Sequence, residues 1–208
     1  MAGRITAITP QKRNRRRASV FIDGQYAFSL SMATAAALPI GKKLGDDERD
    51  ALQAADRKEQ AFDRALHYLK FRPRSRMEMI RYLKGKGFTA AVIDATLQRL
   101  ESYQYIDDTA FARFWIDNRQ RHRPRGAFGL RCELKEKGIA DAVIEDLLAD
   151  YDENAAAWRA VAPKLHRWAD LPSMALKEKI HRFLRQRGFD YTTCEDVFQK
   201  AERQRYES

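Results

Sequence analysis

The pattern of hydrophobic and polar positions changes near residue 45. Over 17–30, RASVFIDGQYAFSL, two runs rich in β-branched and aromatic residues flank Asp23 and Gly24, which is typical of a β-hairpin with a tight turn. The following segment, SMATAAALPI, predicts a short helix that ends at its proline. We therefore expect a small β-hairpin element with one short helix over residues 1–45.

The hairpin also predicts a strand register. If its two turn residues are Asp and Gly, Phe21 faces Tyr26 and Val20 faces Ala27, so that both faces of the ribbon are partly apolar. ITAIT at 5–9 is a candidate third strand, which the next residue, a proline, ends or confines to a sheet edge.

After residue 45, apolar positions recur at the spacing of an α-helix almost to the C-terminus. DDERDALQAADR (46–57) predicts a connecting helix whose acidic residues suit a helix N-terminus. Pro73 ends the helix that follows, and Ser75 with Glu78 forms a capping-box pattern that starts another. Three helices are expected in this part of the chain, over about 58–70, 76–86 and 90–102.

The ending of the second of these helices returns three times, as LKGKGF (83–88), LKEKGI (134–139) and FLRQRGF (183–189). Its glycines are Gly87, Gly138 and Gly188, spaced by 51 and 50 residues, and each is expected to close a helix in the left-handed conformation. Upstream, RPRSRMEMIRYL overlies RPRGAFGLRCEL. Apolar residues coincide in all three copies at five positions: Met79, Leu130 and Ile180; Leu83, Leu134 and Leu184; Phe88, Ile139 and Phe189; Ile93, Ile144 and Cys194; and Leu97, Leu148 and Phe198.

This period predicts tandem three-helix repeats. The expected units are 58–106, 107–153 and a divergent third repeat at 154–208. A unit of about 50 residues buries its apolar face poorly on its own, so stacking of neighbours should complete the core. The expected fold is mainly α, with tandem three-helix repeats forming an elongated helical array behind the small β-hairpin element.

Composition narrows the functional classes. The 208 residues carry a formal net charge of +10, which favours anionic partners. The mean hydropathy is −0.63 and no apolar run approaches the roughly 20 residues of a membrane helix, so we expect a cytoplasmic protein. Cys132 and Cys194 are predicted to be buried or half-buried thiols, and neither they nor the histidines have metal-ligand spacing. No metal or cofactor is expected.

Arginines cluster in three places, and these clusters are the candidate binding residues. They are Arg15, Arg16 and Arg17; Arg72, Arg74 and Arg76; and Arg119, Arg121, Arg123 and Arg125. The second and third clusters occupy matching places in successive repeats, so they should line one face of an array. Solvated loops, contact with a protein surface and contact with DNA phosphates all remain open.

Two other groups of residues have ordinary structural explanations. Asp107 and Asp108 invite comparison with a metal or acid–base site, but they directly precede a helical pattern and are expected to cap it. The aromatic residues of the later helices are expected to pack in the core: Phe111, Phe114, Trp115, Trp158 and Trp168.

Three segments together resemble the bacterial RecX regulatory proteins: ALHYLKFRPRSRMEMIRYLKGKGF, YIDDTAFARFWIDNRQRHRPRG and LRCELKEKGI. FIDGQYAFSL is similar to the N-terminal region of that family, so the resemblance covers nearly the whole chain and weakens over 155–208. It implies three-helix repeats that bind RecA, the recombinase that polymerises on single-stranded DNA. It also implies damping of filament growth, ATP hydrolysis and strand exchange, through insertion into the groove of the filament.

The sequence therefore predicts a monomeric, non-enzymatic regulator whose partner is RecA or its nucleoprotein filament. One alternative is a basic helical-repeat protein that binds DNA directly and acts without RecA. A second alternative is a nuclease that uses Asp107 and Asp108.

Overall fold

The computed structural model describes residues 3–206, which form four strands and one short helix in the N-terminal part and helices thereafter. The strands are β1 (Gly3–Pro10), β2 (Arg17–Ile22), β3 (Gln25–Ser31) and β4 (Lys43–Leu44). The helices are α1 (Met32–Ala36), α2 (Asp46–Leu69), α3 (Arg76–Gly85), α4 (Ala90–Ser102), α5 (Asp108–His122), α6 (Ala127–Glu136), α7 (Asp141–Leu148), α8 (Glu153–Leu165), α9 (Ser173–Arg185) and α10 (Tyr191–Tyr206), with a 3-10 turn at His166–Trp168.

The chain forms two compact units. The first comprises Met1–Phe71 and Tyr82–Ser102, and the second comprises Arg72–Arg81 and Tyr103–Ser208. The mainly helical fold with an N-terminal strand element confirms the expected fold class.

The sheet of the first unit has the strand order β3-β2-β1-β4, and its pairs are antiparallel. Asp23 and Gly24 have φ values of 49° and 79°, the positive values that a tight type I′ hairpin turn needs. The hairpin is therefore confirmed, β1 supplies the expected third strand, and β4 adds a fourth. The sheet buries an apolar face made of Ile5, Ala18, Val20, Phe28, Leu30 and Leu44.

The strand register agrees with expectation at one pair and differs at the next. Phe21 pairs with Tyr26 as predicted, but Val20 pairs with Phe28, so its predicted pairing with Ala27 is wrong. A register irregularity between Val20 and Phe21 causes the difference, because one extra residue is accommodated in β3. As a result, Val20 and Phe28 are buried together beneath the sheet.

The connecting helix and the first repeat helix, expected separately over 46–57 and 58–70, are one continuous helix, α2. No glycine or proline interrupts this stretch, and Gly45 precedes it. Asp56 near its middle is only 3% exposed and accepts hydrogen bonds from the Ser31 amide and from Arg17. These bonds hold α2 against the sheet.

The second unit contains two three-helix groups with separate cores. Helices α5, α6 and α7 bury Phe111, Ile116, Leu130, Leu134, Ile144 and Leu148. Helices α8, α9 and α10 bury Val161, Leu176, Ile180, Leu184, Val197 and Phe198. Tyr151 packs against both cores. The division into repeats at 107–153 and 154–208 stays a prediction.

The three repeated glycines all have the predicted left-handed conformation. Their φ values are 78° at Gly87, 80° at Gly138 and 78° at Gly188. In each copy the amide of the residue after the glycine donates to the carbonyl five positions earlier, for example Ile139 to Leu134 at 3.1 Å. This bond satisfies a carbonyl that the helix end would otherwise leave without a partner.

The two cysteines differ in environment. Cys194 is buried in the core of the third helical group, as predicted, and burial raises the pKa of its thiol to about 11. Cys132 is exposed, so the prediction that it is buried or half-buried is wrong. It lies on the outward side of α6, whose inward positions are taken by Leu130 and Leu134.

Candidate partner-binding surface

The N-terminal arginines divide into one structural and two exposed residues. Arg17 donates to both carboxylate oxygens of Asp56, at 3.3 and 2.9 Å, and to the Ser29 carbonyl at 2.9 Å. Its guanidinium therefore joins the sheet to α2. Arg15 and Arg16 lie exposed in the loop between β1 and β2, where a partner can reach them.

Arg72 belongs to a cluster that we call the first junction, in which residues 72–78 lie against Lys137 and Gly138. Both amino groups of its guanidinium donate to the buried Glu78 carboxylate at 2.9 Å, and the Lys137 ammonium donates to the same group at 2.7 Å. Burial of the carboxyl opposes its charge, but the bonds from Arg72 and Lys137 outweigh burial and lower the pKa of Glu78 to about 2. The buried charge of Glu78 at the first junction is thus compensated by two cations.

The other two arginines of this cluster, Arg74 and Arg76, differ in how exposed they are. Arg74 is half-buried and Arg76 is exposed, and each makes an interaction within the chain. The backbone amide of Arg76 donates to the Asp108 carboxylate at 2.8 Å. Of the predicted residues in this cluster, Arg76 offers the most accessible side chain.

Arg119 and Arg125 both pair with Glu133 on α6. The Arg119 Nε lies 2.7 Å and the Arg125 Nε 3.1 Å from a carboxylate oxygen. The Trp115 indole donates to the same carboxylate at 2.8 Å, and Arg119 stacks 4.5 Å from the centre of that ring. These two arginines hold α5 and the following loop to α6.

Arg121 and Arg123, by contrast, are exposed at the end of α5. They line an open cleft together with four cations from later in the chain: Arg159, Lys164, Arg167 and Arg187. Sequence reasoning missed these four, because they come from α8, the 3-10 turn and the turn after α9 and share no local motif. The repeat alignment offers one signal, since Arg187 occupies the place of Lys137.

The Ser75–Glu78 capping box is only half formed. The Ser75 hydroxyl accepts the Glu78 amide at 3.1 Å, as predicted. The Glu78 side chain, however, turns to Arg72 and Lys137 instead of returning to the Ser75 amide. Two cations outcompete one neutral amide for the carboxylate, so this part of the expectation is wrong.

The capping glycines also form contacts between helical segments of the second unit. At the first junction, Ser75 donates to the Lys137 carbonyl at 2.8 Å, beside Gly138. At the second junction, residues 123–129 lie against Arg187 and Gly188. There the Gly126 amide donates to the Arg187 carbonyl at 3.0 Å. The two contacts occupy equivalent positions of the repeat.

The paired aspartates have the structural role expected of them. The Asp107 carboxylate accepts the amides of Thr109 and Ala110, at 2.8 and 2.9 Å, and so caps α5. Asp108 accepts the Arg76 amide. Within residues 3–206, no group of three or more histidine, cysteine or acidic side chains is arranged to hold a metal ion.

Most of the selected aromatic residues contribute to packing. Phe111 and Trp168 are buried, whereas Phe114, Trp115 and Trp158 are partly buried. Trp158 borders a second cleft between α8 and α10, where the Lys200 ammonium lies 4.4 Å from the centre of its ring. The expectation of core packing therefore holds fully for two of the five.

Family models match three parts of the chain. The RecX N-terminal domain matches residues 3–44, the first RecX three-helix domain residues 61–100, and the second three-helix domain residues 107–148. Among the described helices, none is long and apolar enough to cross a membrane.

Individual relatives agree with these matches. "Regulatory protein RecX" of Bacillus licheniformis is 31% identical over 203 residues, which cover 95% of this chain and 77% of the relative. The protein of the same name from Chlorobium phaeobacteroides is 39% identical over 131 residues, covering 63% of this chain and 86% of the relative.

Solved structures support the fold. A crystal structure of regulatory protein RecX superposes with a TM-score of 0.69 at 24% identity, covering 94% of this chain and 98% of that one. RecX from Lactobacillus salivarius gives a TM-score of 0.62 at 22% identity, with 71% and 98% covered. The three matched domains and the extent of these similarities show that the chain belongs to the RecX family of regulatory proteins.

Proposed function

We propose that this chain is a non-enzymatic regulator that binds RecA, or the RecA filament on single-stranded DNA, in the cytoplasm. Binding would reduce filament growth, ATP hydrolysis and strand exchange. The observation that carries the proposal is membership of the RecX family along most of the chain. The net charge of +10 and the exposed arginines are compatible with an acidic or nucleoprotein partner.

The geometry refines the set of predicted contact residues. Arg17, Arg72, Arg119 and Arg125 are tied to Asp56, Glu78 or Glu133, so replacing them would disturb the fold as well as a surface. Arg15, Arg16, Arg121 and Arg123 are exposed and form no ion pair in the described part of the chain. We assign the electrostatic contribution to partner binding chiefly to these four.

The test is reversal of charge at these four positions. A variant with glutamate at Arg15, Arg16, Arg121 and Arg123 should bind RecA filaments at least tenfold more weakly than the unchanged chain. The binding should also lose much of its dependence on salt concentration. Fluorescence anisotropy of the labelled chain, titrated with RecA assembled on single-stranded DNA, measures both effects.

A matched control variant distinguishes the effect of where the four arginines lie from the effect of the net charge of the chain. Lys58, Lys84, Arg113 and Arg203 are likewise exposed and form no ion pair in the described residues, and their reversal changes the net charge equally. Equal weakening by both quadruple variants would reject the assignment of the surface. Tight binding to DNA alone, with no binding to RecA, would replace the proposal by the DNA-binding alternative.

A further inference from the structure

The open cleft lined by Arg121 and Arg123 lies wholly within the second unit and has a volume of about 560 Å³. The end of α5, the loop after it, α8, the 3-10 turn and the end of α9 form its walls. Six cations and His122 line it, and no carboxylate does so among the described residues. The cations are Arg121, Arg123, Arg159, Lys164, Arg167 and Arg187.

Comparison of the two junctions explains this excess of positive charge. At the first junction, Glu78 lies between Arg72 and Lys137 and forms an ion pair with each, so that it balances one of the two positive charges. The equivalent cations at the second junction are Arg123 and Arg187, but the residue equivalent to Glu78 is Gly129. A side chain there is sterically excluded, because a Cβ atom on Gly129 would lie 2.5 Å from the Arg187 carbonyl oxygen. The second junction therefore lacks the internal counterion of the first.

Phe183 contacts two of the cations that line the cleft, Arg187 and Lys164. Arg187 donates to the Phe183 carbonyl at 3.2 Å, and its guanidinium stacks 3.7 Å from the centre of that ring. The Lys164 ammonium lies 5.2 Å from the same ring. Burial, together with the charges of Arg123 and Arg125, lowers the pKa of Arg187, as expected for a partly buried cation beside like charges.

The rim of the cleft is accessible. Arg121, Arg123, Arg159 and Arg167 are exposed, and none of them forms an ion pair in the part of the chain that the structure describes. Their guanidinium groups can each donate two parallel hydrogen bonds to an oxyanion.

We propose that this cleft is a binding site for phosphate groups. Arginine forks match the oxygens of phosphate bidentately, and several converging arginines suit a ligand that carries more than one phosphate. The volume is within the range of pockets that take small organic ligands, so a polyphosphate or a short stretch of nucleic acid backbone fits the same chemistry. The site does not depend on RecA binding and stands if that proposal fails.

The test uses sodium tripolyphosphate as the probe, with isothermal titration calorimetry on the full chain at low salt. We expect saturable binding with one ligand per chain. The variant Arg159→Gln/Arg167→Gln should bind at least tenfold more weakly, while the control variant Arg113→Gln/Arg203→Gln should change affinity less than twofold. Both variants remove two exposed arginines of the second unit that form no described ion pair, and unfolding midpoints verify that each folds.

Competition identifies the source of the phosphates. Displacement of tripolyphosphate by oligothymidylate would mean that nucleic acid backbone occupies the cleft, and absence of displacement would mean a free polyphosphate. Either result supports the site if the Arg159/Arg167 variant loses binding. Equal loss in the two double variants, equal competition by oligoglutamate of matched charge, or no saturable binding at millimolar tripolyphosphate would overturn the proposal.

Discussion

Substitution of Gly188 by alanine tests the close approach at the second junction. The glycine has φ of 78°, and a Cβ atom on it would lie 2.4 Å from the Gly129 nitrogen and 2.6 Å from the Gly129 Cα atom. Both neighbours are backbone atoms, so no side-chain rotation relieves the contact. Alanine should therefore force the end of α9 away from the start of α6.

Gly87 provides a matched control for the backbone conformation. It has the same φ of 78°, but a Cβ atom there would meet nothing within 4 Å. Gly87→Ala should thus cost only the left-handed conformation, about 1–2 kcal/mol of unfolding free energy. Gly188→Ala should cost this amount plus the overpacking, roughly 1–3 kcal/mol more.

Urea unfolding followed by circular dichroism at 222 nm measures both free energies. Amide hydrogen exchange at Gly126 adds a local measurement, because its bond to the Arg187 carbonyl should open more often in Gly188→Ala. If Gly188→Ala were no more destabilising than Gly87→Ala, and Gly126 exchange were unchanged, the close junction would be refuted.

Three further predictions concern two buried ion pairs and one pair of exposed arginines. Because the pKa of Glu78 is lowered to about 2 in the folded chain, its stabilisation is full above about pH 5 and is lost as the pH falls toward 2. The advantage of the unchanged chain over Glu78→Gln should therefore shrink over that range, from roughly 3 kcal/mol by urea unfolding at pH 7. Asp56→Ala should cost about 3–5 kcal/mol by the same assay, because it leaves the charge of Arg17 without its buried partner; a cost below about 1 kcal/mol would contradict this. Arg15→Gln/Arg16→Gln should change stability by less than about 0.5 kcal/mol, and a larger loss would show that these exposed residues support the fold.

Local sequence signals predicted the elements well where one residue dictates a conformation. Asp23-Gly24 requires a tight turn, and the three glycines require left-handed helix ends, so the hairpin and the repeat caps followed from the sequence. The continuous α2 was missed because a repeat period locates equivalent positions but does not show whether the preceding helix joins the first unit. The pairing of Val20 with Phe28 was not predicted, because it depends on a β-bulge that no glycine or proline in the strands indicates.

The candidate site was less predictable because its residues meet only through tertiary structure. The arginine clusters were visible, but the carboxylates that occupy Arg17, Arg72 and Arg119 lie 6 to 39 residues away in the chain. Likewise, Arg159 and Arg167 join Arg123 only when α8 packs beside the end of α5. Counting charges along the sequence cannot distinguish a paired arginine from an exposed one.

The central proposal, regulation of RecA, is tested most directly by RecA's ATP hydrolysis on single-stranded DNA. The chain should be titrated from far below to equal the RecA concentration, with DNA in excess over the sites that the chain itself can cover. We predict inhibition at substoichiometric amounts, because a regulator of filament growth or stability affects many RecA subunits at once. An unchanged rate of hydrolysis at equal concentration would contradict the proposal.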